Sequence, residues 1–128
     1  MNDGDAKAHP RRIECLITFI PVSDGGRSHS FPEGALSGDV YRPHLVVGDP
    51  SQRRSLLAEG DRLTEDYLGV AFHQGPVDGA AGSEMKATLT LMYYPRVSYE
   101  RLKPGVTFTV REGAKIVGFG SVLRLLDS

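Results

Sequence analysis

The clearest pattern in the chain runs from Met85 to Tyr93. Met85, Ala87, Leu89, Leu91 and Tyr93 fall on one side, and Lys86, Thr88 and Thr90 on the other. A repeat of two marks a strand with one buried face. Ile13, Cys15, Ile17 and Phe19 repeat in the same way, with Leu16 and Ile20 giving the second face some apolar character. Val106, Phe108 and Val110 alternate with Thr107 and Thr109. The turn Arg111-Glu112-Gly113-Ala114 follows, and Gly113 supplies the positive φ that a short hairpin needs. The returning strand places Val117, Phe119, Leu123 and Leu125 on one side, while Gly118 and Gly120 leave room for the close approach of another backbone. Val40–Val47, interrupted by Pro43, and Leu68–Phe72 complete about six strands.

Between the strands the pattern breaks. Met1–Arg12 is polar and reads as a mobile tail. Ser23-Asp24-Gly25-Gly26 is a turn, and Arg27–Asp39 is a long loop rich in Gly, Ser and Pro. Asp49–Glu65 carries helix formers, with Asp49 or Ser51 as a cap and Leu56 and Leu57 as anchors, and predicts a loop or a short helix. Gln74–Ser83 is a loop, Pro95 ends the long strand, and Ser98–Leu102 is a turn. The expectation is one all-β domain over 13–126, with 1–12 as a tail and 49–66 as an insertion. Its strands have apolar residues on both faces, which favours a small six-stranded antiparallel closed β-barrel, because closure removes exposed edges.

Composition narrows the chemistry. The 128 residues carry 15 Lys and Arg against 16 Asp and Glu, a net charge of −1, so overall charge does not drive binding to phosphate. One cysteine, Cys15, excludes an internal disulfide and a multi-cysteine zinc site; mid-strand, it reads as a small buried hydrophobe. His9, His29, His44 and His73 have no paired spacing for a metal. Asp61, Glu65 and Asp66 read as solvated acids without the apolar setting that acid–base work needs. No apolar run is long enough for a bilayer and no leader pattern opens the chain, so the expected compartment is the cytoplasm. No cofactor is expected. Two features compete with plain turns: Gly25-Gly26-Arg27 as an anion nest, and Arg53-Arg54 with Arg11-Arg12 as a basic patch.

The order of short motifs carries a resemblance. Ile17-Thr-Phe-Ile, Asp24-Gly-Gly-Arg, Tyr41-Arg-Pro-His-Leu, the 85–95 strand, and Phe108-x-Val110-Arg111-Glu112-Gly113 followed by Val117-Gly118-x-Gly120 come in sequence. Together, from about Ile13 to Leu125, they resemble the C-terminal β-barrel (third domain) of bacterial translation elongation factor Tu. The resemblance implies a six-stranded barrel. In the factor, that barrel packs on a GTPase domain and touches the T-stem of aminoacyl-tRNA. This sequence has no Gly-x-x-x-x-Gly-Lys-Ser/Thr loop, so no nucleotide is expected. Of the tRNA-facing positions, Glu112 and Gly113 match. His44 stands for a glutamine, Tyr94 for a lysine, Ile116 for a threonine and Phe119 for a small residue. The expected function is a non-catalytic binding module acting by protein–protein contact, as a mimic or regulator. The alternatives are tRNA binding and a small-ligand barrel or enzyme. The candidate binding residues are Arg42, His44, Tyr94, Arg111, Glu112, Gly113 and Lys115.

Overall fold

A computed structural model describes residues 11–27, 31–58, 62–63, 65–77 and 81–126. Among the described residues eight strands form: β1 (Arg12–Phe19), β2 (His44–Val47), β3 (Leu57–Ala58), β4 (Arg62–Leu63), β5 (Leu68–Gln74), β6 (Met85–Leu91), β7 (Thr107–Glu112) and β8 (Lys115–Leu126). Six of them close into an antiparallel barrel in the order β1-β6-β5-β2-β7-β8, and β3 and β4 form a separate two-stranded ribbon. The expected all-β, six-stranded closed barrel is therefore what the chain builds.

The alternating positions fill the barrel. Ile13, Cys15, Ile17 and Phe19 of β1 pack with Ala87, Leu89 and Leu91 of β6, Val70 and Phe72 of β5, and Phe108 and Val110 of β7. Each buried aliphatic or aromatic side chain contributes roughly 1.5–3 kcal/mol relative to exposure. Burial pushes the Cys15 thiol pKa up, which keeps it an inert hydrophobe. The two ends of the barrel are closed differently. At one end, Phe31 and Tyr41 from the β1–β2 connection stack on Phe19, with ring centroids 4.7 and 6.0 Å away. At the other end Tyr99 is buried, donating its hydroxyl to the Gly69 carbonyl (2.7 Å) and accepting from the Tyr93 amide (3.0 Å).

The glycines of β8 behave as the alternation predicts. A side chain at Gly120 would run into the Leu16 carbonyl of β1, and one at Gly118 would come within 2.9 Å of the Thr18 carbonyl. Two register shifts overturn the rest of the expected β8 face. One lies between Val110 and Arg111 against β8, the other between Glu14 and Cys15, which pair with Arg124 and Val122 and so skip Leu123. Bulges change which face each later residue takes. Leu123 is exposed as a result, and Phe119 faces outward, paired with Thr18 and Thr109.

The structure details three further expectations. Among the described residues of the insertion no helix forms: Asp49 Oδ1 accepts from both the amide and hydroxyl of Ser51 (each 2.8 Å), an Asx turn that competes with a helical start, and the ribbon β3–β4 follows. β2 begins at His44, after Pro43; upstream, the Tyr41 and Pro43 carbonyls still accept from Phe72 and Val70 of β5. β1 begins at Arg12, the last residue of the span expected as a tail, of which residues 1–10 lie outside the described residues.

Candidate functional site

The β7–β8 hairpin brings the expected residues to one end of the barrel but does not present them together. Arg111 is the sharpest departure. It is 0% exposed, not a surface cation. It points to the outer face of β7, where the insertion folds back over it. Its Nη1 and Nη2 donate to the two Glu65 oxygens at 2.8 and 3.1 Å, a two-point pairing that matches guanidinium to carboxylate. Its Nε donates to Thr109 Oγ1 (2.9 Å), and Nη1 also meets Ser55 Oγ (2.8 Å) and Tyr67 Oη (2.9 Å). The Glu65 carboxylate further accepts from Gln52 Nε2 and the Leu56 amide, both at 2.9 Å. Hydrogen bonding from Arg111 above all holds its pKa at about 2, well below the ordinary 4.5. Glu65 is thus a paired carboxylate, not the solvated acid its sequence neighbourhood suggests.

Glu112 leaves the opposite side of β7, toward the aromatic end of the barrel. Its Oε2 accepts from Arg27 Nε and from the Tyr41 hydroxyl, both at 2.6 Å. The Arg27 guanidinium lies 4.0 Å from the Phe31 ring centre. Burial first, then the bond to Glu112, pushes the Tyr41 pKa up. This group ties the long β1–β2 connection to the hairpin. It also settles the anion-nest reading of Gly25-Gly26-Arg27: both glycine amides are spent on the Val22 and Pro21 carbonyls of a 3₁₀ turn.

The remaining expected residues scatter. Gly113 stands at the hairpin tip with φ +59°, and Lys115 beside it is exposed. Arg42 is exposed and donates to the Asp39 carbonyl. His44 pairs with Arg111 across β2–β7 and sets its ring edge-on to Tyr67, 5.9 Å away. Tyr94 follows β6 at the far end of the barrel, partly buried against the core, so it shares no surface with the hairpin tip. Arg11 and Arg12 are at that far end too, which separates them from Arg53. His9, His29 and Asp61 lie outside the described residues. Among the described residues, no three of His, Cys, Asp and Glu gather to hold a metal. None of their helices is long and apolar enough to cross a membrane.

One feature of the hairpin end was only half visible in the sequence. An open depression of about 360 Å³ lies beside Phe119, bounded by Ile20, Pro21, Asp24, Gly82 and Arg53. The Arg53 guanidinium covers the Phe119 ring at 4.9 Å. Phe119 stood out as bulky, but nothing near it in the chain pointed to Arg53, which the insertion carries in from 66 positions away. Its rim mixes one cation, one anion and apolar surface. That mixture suits a protein side chain better than a phosphate backbone. No protein-family model and no curated protein matches the chain.

Proposed function

We propose that this chain is a binding module of the elongation-factor-Tu C-terminal barrel type, acting by protein–protein contact at the hairpin end of the barrel. The observation that carries the reading is the depression beside Phe119, where an aromatic ring, Arg53 and Asp24 stand together at the surface. Aromatic and arginine side chains set in a partly apolar recess are the usual anchors of protein contacts. Two of the hairpin's charged groups have structural partners: Arg111 holds Glu65, and Glu112 holds Arg27 and Tyr41. What the hairpin end offers a partner is therefore shape and mixed charge. The barrel type rests on the order of the sequence motifs together with the six-stranded closed barrel.

The test is affinity capture from the source cell with two baits, the wild-type chain and Arg53→Glu. Arg53 is exposed, so its charge reversal leaves the barrel core intact. The expected result is a specific protein retained by the wild type at micromolar bait and lost with Arg53→Glu. Retention of no specific protein, or equal retention by both baits, overturns this assignment.

A further inference from the structure

The insertion is fastened to the barrel in an unusual way. Residues 49–57 cross the outer face of β7–β8, yet Leu56 is 60% and Leu57 49% exposed. The segment's two largest apolar side chains thus contribute little to holding it down. Its attachments are polar. Ser55 Oγ accepts from Arg111, donates to the Ala114 carbonyl at the hairpin turn and meets Tyr67 Oη at 3.2 Å. Gln52 Nε2 and the Leu56 amide reach Glu65, and Arg53 lies on Phe119. Where the segment leaves β2, Gly48 exchanges hydrogen bonds with Thr107 and anchors its start.

The geometry points to residues 49–57 as a latched strap, held closed by the Arg111–Glu65 pair through Ser55, Gln52 and the Leu56 amide, which opens as a unit while the barrel stays folded. Two physical facts carry this. Segments with few buried apolar contacts open at lower free energy than the core around them, because hydrogen bonds to water replace most of what they lose. The barrel does not need the strap for closure, since all six strand pairs around it are made by other residues. Arg111 and Glu65 remain paired with each other when the strap lifts, so no charge is left buried alone. Opening carries Arg53 away from Phe119 and removes one wall of the depression. On the reading of that depression as the docking site, the strap controls access to it; the opening itself does not depend on what docks.

Limited trypsin digestion and amide hydrogen exchange on the full chain test this. Arg53 and Arg54 are exposed cleavage points inside the strap, and a protease needs several residues around them in extended form. In the wild type, amides of 51–57 exchange at least about a hundredfold faster than those of β1 and β6. In Gln52→Ala/Ser55→Ala, cleavage after Arg53 and Arg54 accelerates about tenfold or more while the thermal midpoint of the barrel stays within a few degrees. Strap amides that exchange as slowly as the core strands overturn the proposal without reference to any variant. So does cleavage that is unchanged in the double variant, or that rises only in step with global unfolding. Loss of strap opening with partner capture intact would refute the strap alone. Normal opening without any partner would refute the docking site alone.

Discussion

Arg111 shows how one residue type in one local pattern serves opposite roles. Beside a glycine turn in a polar hairpin, an arginine reads as a solvent-facing recognition group. Here it is buried because Glu65, 46 positions earlier, returns over the same face. Burial works against the guanidinium's charge, and the bonds to Glu65 more than offset it, so its pKa is raised. Removing one partner of such a pair leaves the other charge uncompensated, which costs about 3–5 kcal/mol. Arg111→Met is therefore expected to destabilise the fold by roughly that amount in urea denaturation. Arg111→Met/Glu65→Leu is expected to recover most of it, since an apolar pair of similar volume needs no compensation. A double variant as unstable as the single one would show that the cost lies in lost packing. The pH dependence follows from the depressed pKa of Glu65, about 2 when folded against an ordinary 4.5. The unfolded chain binds the proton first, so the pair's contribution is fully present above pH 4.5 and is lost as pH falls through 2. The stability gap between wild type and Glu65→Gln should be level from about pH 8 to 5 and narrow below that. A gap already closing between pH 8 and 6 would place the controlling proton elsewhere.

At the scale of elements, β8 is the longest strand of the barrel, its twelve residues pairing with both β1 and β7. Its glycines let β1 lie close. Gly120→Ala would set a methyl against the Leu16 carbonyl, a backbone atom that cannot swing aside, and is expected to cost about 2–4 kcal/mol. Gly118→Ala is next, with its methyl 2.9 Å from the Thr18 carbonyl. Gly113→Ala has open space but a φ of +59°, and should cost only about 1 kcal/mol. Thermal melts of the three variants check the order; Gly113→Ala as the most damaging would contradict the close-packing account. The alternation in β1, β6 and β7 was legible because period and burial coincide there. The phase of β8 was not, since two bulges shift it and a bulge has no signature in apolar spacing. The insertion misled for a different reason: its helix formers compete with an Asx turn at Asp49, and the Glu65 contact that fixes it is not local. The candidate site was legible only in its location. The hairpin end was visible in Gly113 and Lys115, whereas Arg53 and Phe119 meet only after the chain folds.

Taken as a whole, the molecule's surface charge separates a protein partner from a nucleic acid. Affinity for tRNA comes mainly from neutralised phosphates, so it scales with the cations that one face can deliver. Among the described residues at the hairpin end, Arg42, Arg53, Arg54 and Lys115 are exposed, but so are Asp24, Glu33 and Glu84. Arg111, the cation nearest the tip, is spent on Glu65, and Tyr94 is at the other end of the barrel. Four usable cations give a slope of log affinity against log salt of roughly −3 to −4, and the interspersed carboxylates weaken binding further. Titration of the full chain with tRNA at about 50 and 200 mM salt is therefore expected to show only the non-specific range, dissociation constants of about 10⁻⁴ to 10⁻⁶ M or weaker. Lys115→Glu should weaken even that, because reversing one of four contacts also adds repulsion. A submicromolar affinity at 200 mM salt, or a slope much steeper than four phosphates allow, would require a basic surface that the hairpin end does not have. The barrel would then bind RNA through another face, and the depression beside Phe119 would lose its standing as the principal contact.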